Sequence, residues 1–180
     1  MKPTILAVVI GMTVSTNVLA NEEFRSHEAH VHGKVEVNIA QDGQELLVEV
    51  TAPGADVVGF EHDPETAEQK KVFEQAIAQL NKPEELFGFN NAGCTLKFKS
   101  VTNTLEGDHD DHEGHDHSEG GHGEFTVEYH YQCSDIEKLD TVNTQWFSKF
   151  GNTKSMTVNL LTDSAQIQEI LNAERISFQF

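Results

Sequence analysis

The chain has 180 residues, of which 30 are acidic and 12 basic, and carries a net charge of −18 with its histidines neutral. So acidic a surface repels nucleic acid and anionic lipid and attracts cations, which excludes nucleic-acid binding and points to positively charged partners.

Residues 1–20, MKPTILAVVIGMTVSTNVLA, place Lys2 ahead of an apolar run over 5–10 and close on Val18-Leu19-Ala20. A basic start, a short apolar stretch and a small-residue end are the marks of a secretory signal peptide. The run is too short to cross a bilayer as a helix. A periplasmic protein follows, with no membrane insertion after cleavage and with residues 21–180 as a single domain.

Residues 31–39 alternate, with Val31, Gly33, Val35, Val37 and Ile39 on one face and His30, His32, Lys34, Glu36 and Asn38 on the other, which predicts a strand. His30 and His32 then share a strand face with Cβ atoms about 7 Å apart. Two imidazoles so placed can reach one ion at about 2.0–2.1 Å each. His27 lies just ahead of them. Asp42-Gly43 signals a turn, and Leu46, Val48 and Val50 form the returning strand of a hairpin, in which Leu47 breaks the alternation. Pro53-Gly54 ends that strand.

A helix is predicted from Asp63 as N-cap and Pro64 as first helical residue, closing at Lys82-Pro83. Phe73, Ala76, Ile77 and Leu80 form its buried stripe, and Glu68, Lys71, Glu74 and Gln75 face water. His62 precedes it, where the positive end of the helix dipole favours the neutral, metal-ligating imidazole. Glu61 beside it is a ligand, an acceptor for a histidine N–H, or a solvated carboxylate.

Two strands, around 94–101 and 125–133, flank residues 106–123, EGDHDDHEGHDHSEGGHG. Here lie His109, His112, His115, His117 and His122, half of the chain's ten histidines, among Glu106, Asp108, Asp110, Asp111, Glu113, Asp116 and Glu119. Without large apolar side chains this stretch cannot offset the entropy of ordering, and a disordered, mobile loop is predicted. Its imidazole–carboxylate mixture suits divalent metals, zinc above all. Cys94 and Cys133, an even pair in an exported chain, read as a disulfide; the alternative is a Cys/His metal site. Setting Cys94 opposite Cys133 places Leu96 and Phe98 on the same face as Tyr131, Tyr129, Val127 and Phe125, with Lys97 opposite His130 and Lys99 opposite Glu128. The Lys97 ammonium would keep a cation away from His130.

The last third predicts a short strand over 139–143, an aromatic turn over 144–150, a strand through Met156, Val158 and Leu160, and a terminal strand through Ile176, Phe178 and Phe180. Residues 165–171 fit helix and strand equally. The fold class is α+β: antiparallel hairpins packed with one main helix, one disulfide and a disordered His/Asp-rich loop.

With HVHG at 30–33 before a strand, GFEH at 59–62, a helix opening DPET at 63–66, two cysteines and a His/Asp-rich insert between their strands, the chain resembles the ZrgA-type family of periplasmic zinc-binding proteins. The resemblance runs from about His27 to the C-terminus. It implies an exported protein that supports zinc acquisition, with Zn²⁺ as its ion and a membrane zinc-transport complex as its partner. It carries metal binding onto His30, His32 and His62, and onto His27 beside them.

The residues by themselves predict an exported divalent-metal binder, and the resemblance makes it an ordered histidine site for one zinc ion with a His-rich loop that catches ions more loosely. Both should fail below about pH 6, since imidazole protonates near pH 6.5. A periplasmic copper or nickel buffering or detoxification protein would use the same donors. A small zinc hydrolase would need three ligands and an open position. No HExxH, nucleophile elbow or phosphate loop accompanies them, so no catalytic residue is assigned.

Overall fold

Strict apolar–polar alternation builds the main sheet. The computed structural model describes residues 31–106 and 122–180, so the signal segment and residues 107–121 of the His-rich stretch lie outside the described residues. Strand β1 (Lys34–Asp42) turns through Gly43-Gln44 into β2 (Glu45–Pro53). A short helix, α1 (Gly54–Val57), and a loop lead to the main helix, α2 (Ala67–Leu80). Then come β3 (Phe87–Asn90), β4 (Cys94–Asn103), β5 (Glu124–Cys133), β6 (Thr141–Thr144), the aromatic turn α3 (Trp146–Lys149), β7 (Ser155–Leu161), β8 (Gln166–Leu171) and β9 (Ser177–Gln179). Among the described residues no helix is long and apolar enough to cross a membrane.

Six strands join in the order β4-β5-β2-β1-β7-β8, and three more form a small sheet, β3-β6-β9. All pairings are antiparallel except β1 with β7. Val35, Val37, Ile39, Leu46, Val48, Val50, Phe125, Val127, Tyr129, Met156, Val158 and Leu160 point to one face and are buried. Phe73 of α2 packs on Phe125 at 5.7 Å between ring centroids, and Phe87 of β3 on Tyr129 and Trp146, each at 6.3 Å. The helix and small sheet therefore cover one face of the large sheet, and one hydrophobic core runs between them. The Tyr129 hydroxyl donates to the Leu80 carbonyl at the end of α2, and Trp146 Nε1 donates to Thr153 Oγ1 at 3.0 Å. Two large buried aromatics thus satisfy their polar ends.

Three local expectations are corrected. Strand β1 begins at Lys34 rather than at residue 31, because Gly33 adopts φ +84° and residues ahead of it turn; Val31, placed on the inner face by alternation, is 56% exposed. Helix α2 begins at Ala67 rather than Pro64. Thr66 caps it, accepting from the Gln69 N–H at 3.1 Å, while Gln69 Oε1 accepts from the Thr66 N–H at 3.1 Å. This reciprocal capping box satisfies two donors and outcompetes the single Asp63 cap.

The third correction concerns the disulfide hairpin. Cys94 and Cys133 are bonded and directly opposed, as predicted. A bulge after Leu96 then shifts the register by one. Phe98, not Lys97, sits opposite His130, and Lys99 faces Tyr129. One extra residue sends the following side chains to the other face. Phe98 is thus half exposed, its ring edge-on to His130 at 5.0 Å. Residues 166–171, open between helix and strand, are strand β8, and β3 is a strand that no pattern had indicated.

Candidate metal centre

Strands β5, β2 and β1 are neighbours in the large sheet. Its order brings the starts of β1 and β5 and the end of β2 to one edge, with Glu36 opposite Thr51 and Glu124 opposite Pro53. His32 precedes β1 and His122 precedes β5 at that edge, and Glu61 follows the end of β2 by way of α1.

His32 stands on the turn before β1. The Lys34 N–H donates to the Val31 carbonyl at 3.0 Å, and the Gly33 carbonyl accepts from the Lys154 and Ser155 N–H groups, both at 2.9 Å. Gly33 N–H donates to Asp56 Oδ1 of α1 at 2.7 Å. The turn needs glycine, since its positive φ is costly for any L side chain and a Cβ would lie 3.0 Å from Lys154 Cγ.

Glu61 follows α1 on the loop towards α2, and His122 precedes β5. Gly123 clips the two together. Its carbonyl accepts from the Gly54 N–H at 2.7 Å, and its N–H donates to the Glu61 carbonyl at 3.3 Å. The backbones approach so closely that a Cβ on Gly123 would lie 2.6 Å from Leu105 Cγ and 2.9 Å from the Glu61 carbonyl oxygen. The residues next to His32 and His122 in the chain thus fix where the two imidazoles stand.

The three side chains meet. His32 Nε2 lies 2.9 Å from Glu61 Oε1, and Glu61 Oε2 accepts from His122 Nδ1 at 2.7 Å. One ligand atom from each of His32, Glu61 and His122 falls within 4.8 Å of the others. The imidazole centroids are 5.8 Å apart and edge to face. The Glu61 side chain is 16% exposed, whereas the histidines are more than half exposed, so the carboxylate forms the floor and the imidazoles the rim. Partial burial pushes the Glu61 carboxyl up, but the hydrogen bond from His122 and the closeness of the His32 and His122 rings outweigh it and hold the group below its ordinary value.

Two imidazoles and a carboxylate are a zinc donor set, with bonds of about 2.0–2.2 Å and neighbouring donors about 3.3 Å apart in a tetrahedron. The separations here suit such an ion after small side-chain rotations. One oxygen supplies the direct test of fit. Glu61 Oε1 lies against His32 Nε2 without a hydrogen bond's alignment, and is a buried oxygen with no satisfied partner among the described residues. A carboxylate oxygen and an imidazole nitrogen set 2.9 Å apart without that alignment are donors that a shared cation would join.

Of the predicted ligands, the described residues bring His32 and His122 together, with Glu61 between them. His62 is exposed and is not part of that cluster. Its Nδ1 bonds the Asp63 carbonyl at 2.8 Å and its ring stacks on Phe60 at 5.2 Å. His27, His30, His109, His112, His115 and His117 lie outside the described residues. Sequence reasoning assigned His122 to the loop and not to the ordered centre. The overlooked signal is a repeated pattern: His32-Gly33 and His122-Gly123 each stand directly before a strand.

No curated protein matches this chain. The sequence model of a family described as ZrgA family zinc uptake proteins matches residues 29–180, a span that holds both strand-leading His-Gly pairs and the carboxylate between them. The chain belongs to the ZrgA family of zinc uptake proteins.

Proposed function

We propose that the chain is an exported, periplasmic zinc-capture protein that binds one Zn²⁺ tightly at His32, Glu61 and His122. The observation that carries this reading is the convergence of those three ligand atoms within 4.8 Å in a chain of a zinc uptake family. Family membership supports a role in zinc acquisition, and the signal-like residues 1–20 support export. In this reading the His-rich stretch collects ions, and its last histidine, His122, is also a ligand of the tight centre. Capture and holding are then continuous along the chain. His27 and His30, a few residues ahead of His32 in the sequence, are the candidates for the remaining coordination position, together with water. A membrane zinc-transport complex is the recipient.

Copper or nickel would also bind two imidazoles and a carboxylate. The donor set contains no sulfur: both cysteines are in the disulfide, and Met156 is fully buried in the core. That disfavours Cu(I) and suits zinc.

Zinc titration against a competing chromophoric chelator tests the proposal. His32→Ala, Glu61→Gln and His122→Ala should each remove the tight site, and His62→Ala should leave it intact. Replacing residues 108–120 with a short Gly-Ser link should abolish only weaker binding. Loss of all tight binding on that replacement, with none on substitution of His32 or Glu61, would overturn the centre.

A further inference from the structure

Asp56 is a buried carboxylate, 2% exposed, on the short helix between the two arms of the centre. Its Oδ1 accepts from the Gly33 N–H at 2.7 Å, the amide that follows His32. Its Oδ2 is buried with no hydrogen-bond partner among the described residues. An unsatisfied carboxylate oxygen in the interior is costly and calls for a reason. Gly33 is already held from its other side by the Lys154 and Ser155 amides, so fixing the turn does not by itself require a negative charge there.

His32 supplies the reason. Its Nε2 faces Glu61, leaving Nδ1 turned away from the ion position. In any histidine Nδ1 is the ring nitrogen nearer the backbone, and here the next backbone amide is the one that Asp56 holds. A ligating imidazole has to shed its proton at the metal and keep one on the other nitrogen, and that N–H needs an acceptor. Among the described residues His32 Nδ1 and Asp56 Oδ2 each have no hydrogen-bond partner, and the two are not in contact in this structure, so their pairing requires a rotation of the ring or the carboxyl. Asp56 also feels the charges of His32, Glu61 and Lys154, as a group this close to the centre must.

We propose that Asp56 is the positioning residue of the metal centre, its Oδ2 accepting the Nδ1–H of His32 when Nε2 takes the ion. The carboxylate selects the tautomer that leaves Nε2 free, orients the ring and adds a negative charge behind the ligand. Its single carboxyl group thereby couples the His32 turn, through Gly33, to the segment that carries Glu61. This inference rests on the proposed centre at His32, Glu61 and His122.

The test uses the full chain with zinc alone as ligand. Asp56→Asn keeps the shape and an acceptor for Gly33 but removes the charge. It should lower zinc affinity about 10- to 100-fold, the usual effect of losing such a partner, while leaving the melting temperature of the metal-free protein unchanged or raised. A purely structural role predicts the reverse: a lower melting temperature with zinc affinity retained. In the zinc-loaded wild type, nitrogen-detected NMR should show a slowly exchanging proton on His32 Nδ1; this needs no variant. Unchanged affinity in Asp56→Asn, or the absence of that proton, would overturn the assignment. His32→Ala and Glu61→Gln run in parallel separate the two ideas. If they too retain tight binding, the centre itself is misplaced; if they lose it and Asp56→Asn does not, only the role of Asp56 fails.

Discussion

Gly123 shows how a residue without a side chain can decide the geometry of a candidate metal centre. It accepts from Gly54, donates to Glu61, and is packed so tightly against Leu105 that a methyl group has no room. Its neighbour His122 is held over Glu61 by that contact. Gly123→Ala should therefore push the β5 end away from the Glu61 loop, at about 1–3 kcal/mol of stability as in other overpacked sites. Zinc affinity should fall with it, because the His122 and Glu61 donors separate. Urea unfolding and zinc competition on the same preparation check both effects; an alanine variant with wild-type affinity would show that the clip does not set the centre. Gly33 differs in kind, since its positive φ as well as its crowding requires glycine.

At the scale of elements, helix α2 is held to the sheet by more than its apolar stripe. The buried Tyr129 hydroxyl donates to the Leu80 carbonyl, one of the last acceptors of the helix. Burial pushes that phenol far above its ordinary value, so it stays a donor at every accessible pH. Tyr129→Phe leaves the carbonyl unpaired in the core and should cost about 1–3 kcal/mol in denaturant unfolding. The turn after α2 carries a pH-sensitive contact. The Lys149 ammonium, at 3.1 Å, and the Gln79 amide hold the Glu85 carboxyl at about 2, below its ordinary 4.5. A depressed carboxyl pKa contributes stability that is complete above the unfolded value and is lost as pH falls through the folded one. The melting temperature of wild type should exceed that of Glu85→Gln by a constant margin above about pH 5, and the margin should close between about pH 4.5 and 2. Since the pair is exposed, added salt should shrink it. A gap that persists at pH 2 would refute this contact as its source.

At the scale of the whole molecule, a disulfide spanning 39 residues clips the strands that bracket the His-rich stretch. It lies at the end of β5 opposite the metal centre, so it stabilises the scaffold without touching the ligands. Replacing both cysteines by serine should lower unfolding free energy by about 4 kcal/mol in the chain-entropy description. The folded variant should still bind zinc with the original affinity. Calorimetry on the double variant at a temperature well below its melting point decides this; lost affinity would mean that the stem and the centre are coupled.

What the chain's sequence determines by itself is set by local rules. Alternation in β1, β2, β5 and β7 exposes the sheet, the spacing of Phe73, Ala76 and Leu80 exposes the helix, and the even pair of cysteines exposes the disulfide of Cys94 with Cys133. Local signals also misled where two of them competed: Asp63-Pro64 and Thr66-Gln69 both mark a helix start, and only the reciprocal pair prevailed. The bulge after Leu96 left no mark in the pattern, because a run of Leu, Lys, Phe and Lys alternates equally well without it. The metal centre depended on the tertiary structure throughout. Its candidate ligands come from chain positions 32, 61 and 122, and no spacing rule links residues that far apart. They meet because three strands are neighbours in one sheet and end on the same edge. Which side chain turns inward there was decided by the Gly123 clip and by Phe60, which stacks against His62 and leaves Glu61 to face the two imidazoles.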